Sequence, residues 1–216
     1  MKNQNMLLVL ALFFLGGCTT ATFDTRVDGN LPFISGAVTI AVSAKDTRAK
    51  EAIGKIALDV VKVKQSDFEK AMAGEFKDYL YSKSLNVVPV ERVNLAGPAG
   101  VRETLTSAQA KGLLYAEIHA LHVESFDIIL DEPKYDLSGL VILYDETGKS
   151  VFNSPLSGTM GSRALDGKAT GETLIQLLKM AMLDVTTNPK FEKALSDIVI
   201  AHSSEAELNT GIQSQT

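Results

Sequence analysis

The stretch Tyr135-Asp136-Leu137-Ser138-Gly139-Leu140-Val141-Ile142-Leu143-Tyr144-Asp145-Glu146-Thr147-Gly148-Lys149-Ser150-Val151-Phe152-Asn153-Ser154-Pro155-Leu156-Ser157-Gly158 decides the fold. Its two apolar runs, Tyr135 to Tyr144 and Ser150 to about Gly158, read as strands. They flank Asp145-Glu146-Thr147-Gly148, whose Asp and Gly supply the backbone conformations of a short reversal. Upstream, Leu113 to about Ser125 reads as another strand, so three consecutive strands form an antiparallel meander.

Around the meander the periodicity changes. Leu174, Leu177, Leu178 and Ala181 mark a helix from about Thr170 to Val185. Asn188-Pro189 starts a last helix, with Asn as cap and Pro at the first helical position, turning Phe191, Ala194, Leu195, Ile198 and Val199 inward. From Ser203 the chain is polar and aperiodic, which predicts a flexible tail over 203–216. Toward the N-terminus, Val38, Ile40, Val42 and Ala44 alternate with Thr39, Ala41 and Ser43, a strand ending near Lys45-Asp46. Ile53 to Val63 is ambiguous between helix and strand and leans to strand through its β-branched residues.

Ser66 and Glu69 have capping-box spacing. Phe68, Met72, Phe76, Tyr79 and Leu80 then share one face of a helix expected from Asp67 to Ser84. Asn86 to Glu91 reads as a strand that Pro89 confines to an edge, and Val101 to Lys111 as a short helix. Strands and helices in separate blocks give an α+β domain over 36–202, a small mostly antiparallel sheet with helices packed on one face.

The N-terminus carries a different signal. Lys2 precedes an apolar run from Met6 to Leu15, which is too short for an ordinary spanning helix, and Leu15-Gly16-Gly17-Cys18 closes it with small residues. That is the layout of a removable export signal over 1–17. The chain's one cysteine stands directly after the cleavage position Gly17. Residues 18–35 lack apolar periodicity and read as a tether with a reach of about 20 to 25 Å.

The Leu15–Cys18 stretch resembles the bacterial lipobox. The resemblance implies cleavage before Cys18, lipidation of Cys18 and, because Thr19 rather than aspartate follows, an outer-membrane location facing the periplasm. With Cys18 taken by lipid, no disulfide can form.

Composition narrows the function classes. The net charge is −5, and removal of 1–17 takes away Lys2 alone among charged residues. An acidic chain argues against nucleic acid, whose binding draws on clustered Lys and Arg, and against a polybasic grip on lipid. Membrane contact therefore falls to the lipid on Cys18. Three histidines, with the cysteine committed elsewhere, leave little for a metal centre. His119 and His122, three apart in a strand, fall on opposite faces unless a bulge intervenes. The sequence holds no nucleophile elbow, Walker loop or dinucleotide fingerprint, so no cofactor or enzyme chemistry is expected. Asp131-Glu132 before Pro133 reads as a solvated turn. Lys45-Asp46-Thr47-Arg48 followed by Ile53-Gly54 is the remaining constellation: Asp46 and Arg48 can pair with each other or bind a partner, and Gly54 permits a close turn.

A lipobox, a strand ending in Asp46-x-Arg48, Ile53-Gly54, a helix with Leu80 near its end, the strands Ala116–Leu121 and Leu140–Tyr144, Gly148-Lys149 and a closing helix with Leu183-Asp184 together resemble the YajG-like bacterial lipoproteins. A neighbouring resemblance is to the auxiliary lipoproteins of ABC-type lipid transporters. Both imply a periplasm-facing, lipid-anchored lipoprotein without enzyme chemistry, and the leading reading is that its domain binds an envelope protein or cell-wall component. The transport-auxiliary alternative calls for an open apolar groove between sheet and helices.

Overall fold

The described residues form eight strands of one open, mixed sheet and four helices. The computed structural model describes residues 18–23, 31–56, 59–125, 132–162 and 166–213, with side chains as far as 202. In chain order the elements are β1 (Cys18–Thr20), β2 (Thr39–Asp46), β3 (Ala52–Ile56), β4 (Asp59–Lys62), α1 (Gln65–Ser82), β5 (Asn86–Pro89), α2 (Gly97–Ala108), β6 (Gly112–Ser125), β7 (Lys134–Asp145), β8 (Ser150–Gly161), α3 (Gly167–Thr186) and α4 (Pro189–Gln213).

β6 is the spine of the sheet. Along one side it pairs antiparallel with β7, which pairs antiparallel with β8, giving the meander expected from the sequence. Along the other side it pairs in parallel with β2 through its first half and with β3 near its end. The sheet therefore forks: β5 lies parallel outside β2, while β4 and then β1 extend outward from β3. The long ladders are antiparallel; β6 pairs in parallel with β2 and β3 at the fork, and the outer pairs β2–β5 and β1–β4 are parallel too. Pro89 is the last residue of β5, an edge strand, where its missing N–H costs nothing to the ladder.

Three helices share one face of the sheet, as expected. Phe68, Met72, Phe76 and Leu80 of α1, Leu174, Leu177 and Leu178 of α3, and Phe191 and Leu195 of α4 are buried against Ile40, Val42, Leu114, Ile118, Val141, Leu143 and Phe152. Phe152 and Phe191 meet edge to face at 5.1 Å.

α2 departs from that expectation. It lies on the opposite face, where Val101 and Leu105 cover Ala41, Leu113 and Tyr115. The path from β2 to β5 and the path from β5 back to β6 move in opposite directions across the sheet. The right-handed rule for parallel crossovers then puts their helices on opposite faces. The continuous apolar run Leu113-Leu114-Tyr115-Ala116, buried on both sides, is the sequence trace of that double cover.

Two helix ends differ from the reading above. The cap of α1 is Lys64, with no side-chain cap bond, so the Ser66–Glu69 capping box does not form. Glu69 Oε1 instead accepts from the Asp46 amide at 2.8 Å and pairs with Lys45, a tertiary use that displaces the local one. α4 runs on to Gln213, past Ser203 where the sequence suggests a tail, through the good helix formers Glu205-Ala206-Glu207-Leu208. Its start matches: Asn188 Oδ1 accepts from the Lys190 amide at 2.9 Å.

Candidate functional site

Cys18 is exposed at the outer edge of the sheet, but no slack separates it from the domain. In β1, Cys18 stands opposite Val60, Thr19 opposite Val61 and Thr20 opposite Lys62. Beyond the strand, the Ala21 amide donates to the Lys62 carbonyl at 2.8 Å and the Thr22 amide to the Gly167 carbonyl at 2.9 Å. Ala21 is buried, and Phe23 packs against Phe68 at 5.7 Å.

The first turns of α3 are shaped for this contact. A Cβ on Gly167 would lie 2.1 Å from the Thr20 carbonyl oxygen, and one on Gly171 would lie 1.9 Å from that of Thr22. Two glycines one helical turn apart thus let backbone press on backbone. The expected tether over 18–35 is accordingly fastened at both described ends. Residues 18–23 are clamped as above, and near Ile34 the Asn86 side chain donates to the Ile34 carbonyl and accepts from its amide, each at 2.8 Å. Residues 24–30, and the signal with Gly17, lie outside the described residues. Sequence reasoning missed the clamp because backbone pairing of three residues leaves no alternation to read.

Asp46 and Arg48 come together at the fork of the sheet, where β2 leaves β6. Arg48 Nε donates to both carboxylate oxygens of Asp46 at 2.8 and 2.9 Å, and Nη2 closes the pair. The side chains are 0 and 5 % exposed for Asp46 and Arg48 respectively. Arg48 Nη2 also donates to the Val63 carbonyl at 3.3 Å, and Gln65 Nε2 donates to the Arg48 carbonyl. The brace therefore joins the end of β2 to the chain entering α1. Thr47 returns its amide to Ile118 of β6 at 2.9 Å, and β3 resumes pairing farther along β6. Gly54, at φ +149°, lies so close to β6 that a Cβ would sit 1.9 Å from the Val123 carbonyl oxygen. Its use is this close approach rather than a turn. With the Asp46 carboxylate sealed and bonded internally, the geometry is that of a structural brace, not of a surface that grips a partner.

The histidines fall differently from the simple strand reading. A bulge between Ile118 and Ala120 shifts the phase of β6, so His119 and His122 are both exposed rather than divided between core and solvent. His119 Nε2 lies 3.5 Å from Glu117 Oε1, and Glu117 Oε2 accepts from the Tyr115 hydroxyl at 3.3 Å. Burial, reinforced by Glu117, pushes the Tyr115 phenol well above its usual range. Among the described residues no group of His, Cys, Asp and Glu is arranged to hold a metal ion. Asp131 lies outside the described residues, and Glu132 is exposed.

At the far end of the sheet, a shallow cleft of about 620 Å³ lies between the β7–β8 turn and α4. His202 Nε2 meets Glu146 Oε2 at 2.8 Å, and Lys111 reaches the same carboxylate at 3.4 Å. The sequence, which reads as a tail from Ser203 directly after His202, gives no sign of this link. The hydrogen bond from His202 holds the Glu146 carboxyl below its usual range. The stabilisation it gives is present above the ordinary carboxylate value and lost as pH falls through the lowered one. The cleft combines charge, from Lys111, Glu146, Lys190, Lys193 and Asp197, with apolar walls from Val151, Ala194, Ile198 and Ala201.

No family model matches the chain, so the YajG-like resemblance gains no support from that comparison. No curated protein matches it either. Solved structures similar to it include protein XCC0632 from Xanthomonas campestris, at 10 % identity and TM-score 0.47 over 88 % of this chain and 98 % of that one. The hypothetical protein CT253 from Chlamydia trachomatis aligns at 13 % identity and TM-score 0.44 over 69 % and 95 %. Lipoprotein GNA1162 from Neisseria meningitidis aligns at 14 % identity and TM-score 0.40 over 70 % and 99 %. At this distance none of them assigns a role, which has to be argued from the chain's own residues.

Proposed function

We propose that the protein is a non-enzymatic lipoprotein of the bacterial envelope, held by lipid on Cys18 at the periplasmic face of the outer membrane, where its α+β domain binds an envelope protein or cell-wall component. The observation that carries the reading is Leu15-Gly16-Gly17-Cys18 closing the apolar run, with Cys18 exposed on the outer edge strand of the sheet. A lipidating enzyme needs that sulfur accessible, and a membrane needs it at the surface. Among the described residues no helix is long and apolar enough to cross a membrane. Two or more acyl chains give stable anchoring where one is marginal, at about 0.8 kcal/mol per buried CH₂. Thr19 in the position after the cysteine favours the outer membrane. A net charge of −5 argues against a polybasic grip on lipid and favours membrane contact through the acyl chains.

The test is Cys18→Ser followed by membrane fractionation. The expected result is loss of the membrane-bound mature form and appearance of an uncleaved precursor or a soluble product. Unchanged fractionation with the mature membrane fraction would overturn the reading.

A further inference from the structure

Resting on the lipidation of Cys18 proposed above, we infer that the domain stands directly on the bilayer by one end of its sheet, without a spacer, so that its orientation to the membrane is built into the fold. The residue that would carry the lipid is itself a strand residue. Cys18 pairs with Val60, and the next four residues are held by strand pairing, by the Lys62 and Gly167 carbonyls and by the bare backbone of Gly167 and Gly171. A thioether lipid places its glycerol within a side chain's length of Cys18, so the headgroup layer reaches the edge of the sheet.

The register says which end that is. Cys18 lies opposite Val60, Val60 opposite Lys55, Lys55 opposite Glu124, Glu124 opposite Lys134 and Lys134 opposite Gly161. One row across six strands thus shares the level of the anchor. From Cys18 the chain runs away from this row into the domain. β7 carries the sheet 12 residues onward to the Asp145 turn, about 40 Å at the rise of a strand. The charged cleft between that turn and α4 is therefore presented to the periplasm at a fixed height.

Because the chain's own cysteine is acylated, an introduced cysteine is the sole free thiol of the mature protein. The variants Lys55→Cys, Lys134→Cys and Lys149→Cys replace exposed residues at the near end, the near end and the far end. Each is purified as the full lipidated protein, labelled with an environment-sensitive fluorophore and reconstituted in phosphatidylethanolamine–phosphatidylglycerol vesicles that carry a headgroup nitroxide quencher. Flotation and the mass of the Cys18 peptide are recorded on the same preparations.

Quenching several-fold stronger at positions 55 and 134 than at 149 is expected. A flexible Gly-Ser insertion after Cys18 should abolish the difference, because the domain then moves freely at the end of a coil. Floating, acylated protein with equal quenching at all three positions, or with quenching at 55 alone, overturns the orientation while leaving lipidation intact. Protein that neither floats nor carries lipid overturns both.

Discussion

Arg48→Met is expected to destabilise the domain by about 3 to 5 kcal/mol, because it leaves the sealed Asp46 carboxylate without its partner. The charge cannot reach water without opening the fork between β2 and β3. The double variant Asp46→Leu/Arg48→Met removes both charges and should recover most of the loss, since replacing a buried pair by apolar groups is often neutral or better. Urea unfolding checks both. A single variant with a wild-type midpoint, or a double variant no better than the single, would show that the brace is not what holds the fork. Binding a partner through Asp46 predicts the reverse order: the double variant would be the more damaging in a binding assay while both remained folded.

Phe76→Ala is the second large effect. Phe76 is fully buried in the middle of α1, between Met72 and Leu80 and facing the sheet. Truncation should cost about 3 to 5 kcal/mol through lost transfer energy and the cavity left behind. The urea midpoint should fall while the slope with denaturant stays constant, the sign of lost stability without a change in the surface exposed on unfolding. An unchanged midpoint would contradict the assignment of this face to the core.

How far the sequence foretold these results depends on which interactions formed each element. The meander was legible because alternation and the Asp145–Gly148 reversal are local signals, and Asp145 Oδ1 accepts from the Thr147 and Lys149 amides as such a turn requires. The helix faces of α1, α3 and α4 were legible for the same reason. Elements made by long-range pairing were not. β1 is three residues held by β4 and by two glycines of α3, about 150 residues away in sequence. The bulge that brings His119 and His122 to one side has no sequence signature of its own. Glu69 had the spacing of a cap, yet the Asp46 amide and Lys45 claimed its carboxylate, an instance of tertiary context overriding a local motif. The Asp46-x-Arg48 motif could be seen as a pair but not as a brace, because its burial depends on a fork that only the register of β6 reveals.

The clamp on residues 18–23 changes the picture of the anchor. A tether would let the domain wander by a coil's length; a paired strand fixes it. In the proposed arrangement a partner would meet the far end of the sheet, at the β7–β8 turn and the cleft beside α4.

The central claim is that Cys18 is the lipidated first residue of the mature protein. Mass spectrometry of the N-terminal peptide released from the membrane fraction tests it most directly. The account predicts a peptide beginning at Cys18 and carrying a thioether-linked diacylglycerol with an acylated amine. A peptide that begins elsewhere, or one that begins at Cys18 with an unmodified thiol, would contradict it.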